Sequence, residues 1–281
     1  MNNYNVQVII PTLNRKQITV KCVEKLLKGT YLNFNIIICD SDSTDGTQNE
    51  FINYKNIEYL NVGRNKWWSG AINNGIKKAL EYNPDFILII NDDIDFSNTL
   101  IEDLLRDYHK NMDSIISPLQ ETNKGFYLGI RYNGLFKIPR MIFLNKDIKE
   151  FTSVESSNGC CLFMPSEIFS VVGFIDENSC PHLAGDAEFQ IRARKKGFKT
   201  IVSSNIKILQ GDSTDYYSRV KLKNMFTFYG SPVHFPSYWK FGVTLFGSNL
   251  NFIIIGVSYH FNYLKSVTKT ILFIVKKQFN K

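Results

Sequence analysis

Residues 86–93 read Phe86-Ile87-Leu88-Ile89-Ile90-Asn91-Asp92-Asp93, five uninterrupted apolar residues that end in an amide and two carboxylates. An apolar run without alternation describes a strand covered on both faces, as in a parallel sheet flanked by helices. Open α/β sheets bind ligands at the carboxyl edge of such strands, so Asp92 and Asp93 stand where a ligand would arrive. Hard divalent cations take oxygen ligands, commonly one or two carboxylates plus substrate phosphates. The pair suits a metal–diphosphate complex; it would equally cap a helix opening near Ser97.

The rest of the N-terminal half repeats the pattern. Strands are predicted at Val6–Ile10, Phe34–Cys39 and Ile57–Val62, and helices around Lys16–Leu27, Thr44–Tyr54, Ala71–Tyr82 and Asn98–His109. Alternating strands and helices specify a mostly parallel, Rossmann-like sheet with helices on both faces. Each strand ends in polar residues: Pro11-Thr12-Leu13-Asn14, Asp40-Ser41-Asp42 and Gly63-Arg64-Asn65 join Asn91-Asp92-Asp93 at one edge. Residues 114–152, rich in glycine and alternating aromatics, predict a β-hairpin region that widens the sheet. Further helices are expected from Ser166 and over Asp186–Lys196, the second closed by Gly197. With no repeat or low-complexity linker, residues 1–215 read as one catalytic domain and 216–281 as an extension of different character.

The net charge of +7 is unevenly spread. Residues 216–281 hold nine Lys or Arg and no Asp or Glu, which leaves the first 215 residues at −2. Only the tail is then built to meet an anionic surface. The N-terminus lacks a basic-then-apolar leader, so a cytoplasmic protein is expected. Five cysteines with no C-x-x-C spacing exclude a disulfide framework and a zinc site of the usual pattern.

Several positions carry chemistry. Asp40, after the second strand, can accept from the N3–H of a uracil or thymine ring, or close an Asx turn; Asp45 reads as a helix cap. In Arg64-Asn65-Lys66-Trp67-Trp68-Ser69-Gly70, small residues let an anion approach a helix N-terminus, while Trp67 and Trp68 can stack on a sugar or base or anchor the core. Asp186 and Glu188 open a helix whose dipole stabilises carboxylates. Gly185 would leave Asp186 accessible as a general base, and Arg192 and Arg194 are potential partners for Glu188.

The ordered set PTLNR, CDSDSTDGT, RNKWWSGAINNGI, INDDI, SSNGCC, GFIDE and GDAEFQIRARKKGF, spanning about Val6 to Val202, resembles the family 2 glycosyltransferases with the GT-A fold, particularly bacterial enzymes that build surface polysaccharide. The resemblance implies a nucleotide-sugar donor at the strand ends, a divalent metal (Mn²⁺ or Mg²⁺) and inversion at the anomeric carbon. It places Thr12, Asp40 and Asp42 at nucleotide-contacting positions, Asp93 as the metal-binding acid and Asp186 as the catalytic base. Pro11, Asn14, Asn65, Trp68, Gly70 and Asp92 are assigned to the same donor site. Two positions depart from the pattern: Asn91 where the motif often has Asp, and Gln210 where many relatives have a His that contacts metal or diphosphate.

The implied reaction moves a sugar from a UDP- or dTDP-sugar to a hydroxyl of a glycan or lipid-linked glycan. A sugar nucleotidyltransferase would carry a Gly-rich basic loop after the first strand, which PTLNRK lacks; a non-catalytic binding module would not need both Asp93 and Asp186. In the tail, polar Ser248, Asn249, Asn251 and His260 argue against a spanning helix. The final stretch sets Leu264, Val267, Ile271, Ile274 and Val275 on one face with lysines opposite, the pattern of a basic helix at the inner membrane surface. The alternative is a helix packed on the domain or in a homo-oligomer. Nucleic acid is not expected, because the acidic cleft would repel it.

Overall fold

The computed structural model describes residues 3–122, 125–143, 149–210 and 220–279. Strands β1 (Val6–Thr12), β2 (Phe34–Asp40), β3 (Ile57–Asn61) and β4 (Phe86–Ile90) lie parallel in the order β3-β2-β1-β4, each within two residues of its predicted bounds. Thr12 pairs with Asp40, and Asp40 with Asn61, so the polar ends come out level. Successive side chains point to opposite faces. Val8, Ile10, Ile36, Ile38, Leu88 and Ile90 enter one core with helices α1 (Lys16–Leu27) and α3 (Leu100–Lys110). Ile9, Ile37, Cys39, Ile87 and Ile89 enter a second core, with α2 (Trp67–Leu80) and α5 (Gly185–Lys195). Helix α2 lies so close to the sheet that a methyl group on Gly75 would come within 2.5 Å of Ile9 Cγ2 and 2.6 Å of Cys39 Sγ.

The second half makes the sheet mixed. Strands β6 (Ser114–Thr122), β7 (Gly125–Asn133) and β8 (Ile138–Phe143) form the expected antiparallel meander. Strand β10 (Cys161–Pro165), which the sequence pattern did not single out, inserts antiparallel between β4 and β6. Strand β11 (Lys199–Gln210) runs parallel to β6 and antiparallel to β9 (Phe151–Val154) and to the two-residue β5 (Ile94–Asp95). Over the described residues the result is an eleven-stranded sheet with helices on both faces. The short α4 (Ile168–Val172) follows Ser166, and Gly197 takes a left-handed φ of +101° just past α5, as its position predicted.

The helix expected over Thr44–Tyr54 does not form; only a 3₁₀ turn, Thr47–Glu50, appears. Gly46 sits there at φ +80°, and the Asp45 carboxylate accepts from Lys16 N and from Thr47, so local side-chain bonds replace helical ones. Nor do Asp92 and Asp93 cap a helix near Ser97: α3 begins at Leu100, beyond β5.

The tail forms α6 (Phe235–Phe246), α7 (Asn249–Ile255) and α8 (Val257–Phe279). Phe241 and Leu245 of α6 pack with Ile191 of α5, and Phe252 is fully buried among α6 side chains. Backbone bonds from Gly256 N to Phe252 O and from His260 N to Gly256 O carry the helical pattern from α7 into α8. The apolar face predicted for the final stretch divides. Val267, Ile271 and Ile274 pack inward with Val220, Met225 and Val233, whereas Leu264 is exposed. Among the described residues, no helix is long and apolar enough to cross a membrane. All five cysteines are unpaired and buried.

Candidate active site

At the end of β1 the chain turns through Asn14, at φ +52°, and delivers Arg15 to the acidic pair. The guanidinium spans both carboxylates, 3.1 Å from Asp92 Oδ1 and 3.0 Å from Asp93 Oδ2. The other Asp92 oxygen accepts from Thr19 at 2.9 Å and Thr12 at 3.3 Å, so this buried carboxylate is engaged on both sides. Burial raises the Asp92 pKa, against the lowering effect of Arg15. Asp93 differs: its Oδ1 is buried and has no hydrogen-bond partner in the structure. An unsatisfied buried carboxylate oxygen is costly and fits a cation.

Among the described residues, no group of three or more His, Cys, Asp or Glu side chains could enclose a metal by itself. Among the described residues at this edge, Asp93 Oδ1 is a free carboxylate oxygen, and a diphosphate and water would help complete the shell, the usual arrangement for Mg²⁺. Gln210, at the departure noted in sequence, pairs in the sheet with Ile94 beside Asp93. Its Oε1 accepts from Gln120 at 2.5 Å and from Asn158 at 3.4 Å, forming a neutral amide cluster at this edge.

Asp186 lies in the first turn of α5, after Ala184 at φ +62°. One carboxylate oxygen accepts from Gly159 N at 2.8 Å. A methyl group on Gly159 would lie 2.7 Å from Asp186, so only glycine permits this approach. The next residue, Cys160, accepts through its carbonyl from Asn91 N at 2.8 Å. The Gly159-Cys160 dipeptide thus links the Asp186 carboxylate to the Asn91-Asp92-Asp93 turn. Burial, with the charges of Asp93 and Asp186 behind it, pushes the Cys160 thiol up to about 12. Burial also raises the Asp186 pKa above the ordinary aspartate range, opposed by the backbone N–H groups of Ala187 and Gly159. A carboxylate with raised proton affinity is a stronger base once ionised.

The missing side chain of Gly185 makes room for Ser69, whose Oγ would lie 2.4 Å from a methyl group there, and Asp186 beside it is half-buried. Glu188 points away from the chemistry. It is fully buried, accepts from Arg192 Nε at 2.9 and 3.0 Å and from Thr244 of α6 at 3.0 Å, and so joins α5 to the tail.

The remaining candidates line the same edge. Asp40 is fully buried and accepts from Ser43 N and Oγ, at 2.8 and 2.7 Å, and from the Tyr59 hydroxyl. Asn14 braces this turn by accepting from Thr44 N at 2.8 Å. Asp42, at φ +70°, pairs with Arg64 at 2.9 Å; Asn65, also at φ +70°, is exposed. Trp68 donates to Asn91 at 3.0 Å, and Gly70 lies in the first turn of α2. Pro11 occupies β1 opposite Cys39. Arg15, Thr19, Tyr59 and Gly159 were not singled out from sequence. Each acts on a partner distant in the chain; Arg15 and Gly159 lie inside quoted motifs, PTLNR and SSNGCC, whereas Thr19 and Tyr59 lie outside every one.

The Glycosyl transferase family 2 profile matches residues 7–173, more than half of the chain. The chain is 24% identical over 169 residues to the low-salt glycan biosynthesis hexosyltransferase Agl10 of Haloferax volcanii, covering 57% of this chain and 53% of the relative. It is 27% identical over 152 residues to the UDP-Glc:alpha-D-GlcNAc-diphosphoundecaprenol beta-1,3-glucosyltransferase WfgD of Escherichia coli, covering 53% and 57%. The chain thus spans little more than half the length of these two relatives. In fold it is similar to GalNAc-T7 with UDP, GalNAc and Mn²⁺ (TM-score 0.67, 13% identity, 87% of this chain and 48% of that one). It is also similar to the mannosyltransferase PcManGT from Pyrobaculum calidifontis with GDP-Man and Mn²⁺ (TM-score 0.60, 11% identity, 97% and 74%). With a GT-A sheet, an acidic turn on its edge and a profile match over most of that sheet, this chain belongs to glycosyl transferase family 2.

Proposed function

We propose that this enzyme is a metal-dependent inverting glycosyltransferase that moves a sugar from a UDP- or dTDP-sugar to a hydroxyl of a glycan or lipid-linked glycan. It would act in bacterial surface-polysaccharide synthesis at the cytoplasmic face of the membrane. The observation that carries the reading is the Gly159-Cys160 dipeptide, which bonds the Asp186 carboxylate at one end and Asn91 N at the other, two residues before Asp93 with its unsatisfied Oδ1.

In this reading Asp40 receives the base N3–H, and Pro11, Thr12, Asn14, Asp42, Asn65, Trp68, Gly70 and Asp92 shape the nucleotide-sugar site. Arg15 holds one oxygen of Asp93 and leaves the other to the cation. Mn²⁺ or Mg²⁺ at Asp93 would neutralise charge on the departing diphosphate. Asp186 takes the proton of the acceptor hydroxyl as it attacks, and a single displacement inverts the anomeric carbon. Residues 1–215 form the catalytic unit and 216–281 the extension.

The test is to supply UDP- and dTDP-sugars with Mn²⁺ and glycan acceptors, and to read the anomeric configuration of the product by NMR. Transfer with inversion is expected. Retention would overturn the mechanism, and transfer of a nucleotidyl group would overturn the reaction class.

A further inference from the structure

The C-terminal helices have two apolar faces. The inner one is covered by the segment that precedes α6: Val267, Ile271 and Ile274 meet Val220, Met225 and Val233. The outer one is uncovered among the described residues. Leu250, Ile253, Val257, Phe261, Leu264 and Leu272 are each more than half exposed. They recur three or four residues apart, with Thr268 filling the last gap, and so form one stripe across α7 and α8. The hydrogen bonds that cross Gly256 keep the two helices in phase. Soluble surfaces rarely expose so continuous an apolar row without a partner. Lys265 and Lys276, both exposed, flank it along α8, and residues 216–281 contain no acidic residue.

We propose that this outer stripe is a docking surface for an anionic lipid bilayer, with Phe261, Leu264 and Leu272 entering the acyl boundary and Lys265 and Lys276 meeting the headgroups. Charge decides against the other natural occupant, a second copy of this chain. A symmetric helix pair would set lysine against lysine along both flanks with no carboxylate to alternate, and such juxtaposition is repulsive. A bilayer supplies the missing negative charge and accepts the apolar row. The assignment rests on the proposed function only for its purpose, bringing the enzyme to a lipid-linked acceptor.

The experiment is flotation of the full chain with phosphatidylcholine vesicles containing or lacking phosphatidylglycerol, at low and high salt, with size-exclusion chromatography beside it. Binding to anionic vesicles that weakens with salt is expected. Phe261→Ser/Leu264→Ser/Leu272→Ser should lower the partition at least tenfold, and Lys265→Gln and Lys276→Gln by about fivefold each. Thermal stabilisation by UDP with Mn²⁺ is measured in every variant. Its retention shows that the fold is intact, and its loss in the wild type would count against the proposed function rather than the surface. Absence of vesicle binding, equal binding to neutral vesicles, or a dimer abolished by the triple substitution would each overturn the lipid assignment.

Discussion

Adjacent aspartates serve different ends here. Asp92 has both oxygens engaged by Arg15, Thr19 and Thr12, while Asp93 keeps one oxygen without a partner. Asp93→Ala should therefore abolish metal-dependent binding of UDP in calorimetry, because it removes the best oxygen ligand at the edge; unchanged affinity with unchanged Mn²⁺ dependence would refute the role. For Asp186, burial disfavours the charged form, and the pKa is raised in the folded state. If Asp186 is the base it acts only when ionised, so kcat/KM should fall as pH drops through its raised pKa. Asp186→Asn should lower transfer by about 10² to 10⁴-fold with nucleotide binding retained. The raised pKa also means that ionising Asp186 costs stability as pH rises through it. The Asn variant should then melt no lower than wild type at neutral pH. The acidic pair and Asp186 were legible in sequence because their motifs announce strand and helix ends. Arg15 was not, since its partners lie more than seventy residues away and only the fold brings them together.

At the scale of elements, β1, β2 and β4 were readable because doubly covered strands need nearly unbroken apolar runs. Strand β10 carries an apolar run of the same kind, but its place between β4 and β6 depends on long-range pairing that no local pattern encodes. The absent helix at Thr44–Tyr54 shows the reverse error: polar residues suited to a helix start also bond to their own backbone, and with Gly46 left-handed that local option prevails. Contact between α2 and the sheet gives a direct test. Gly75→Ala would force a methyl group against Ile9 and Cys39 at less than 3 Å, and overpacking of this kind costs about 1–3 kcal/mol. Denaturant unfolding should show that loss, and because α2 also carries Trp68 and Gly70, UDP affinity should fall with it.

Over the whole molecule, charge and packing divide the labour of the tail. The sequence showed its basic character but merged its two apolar faces, because helical periodicity reports that residues share a side and not what covers it. Removing residues 264–281 would strip the inner face together with the outer one. Such a truncation should lose at least about 3 kcal/mol by uncovering the cluster of Val220, Met225 and Val233, visible as a lowered Tm. A truncated chain as stable as the full one would place α8 outside the packed body. Glu188 has a longer reach than its burial suggests. It stands two residues after Asp186 on α5 and accepts from Thr244 on α6, the helix that begins the C-terminal array. The proposed proton acceptor and the tether of the tail thus share one helical turn. If Asp186 is the base, a force that lifts or seats the C-terminal helices would be felt at its carboxylate, and its alignment would gauge whether the tail is docked.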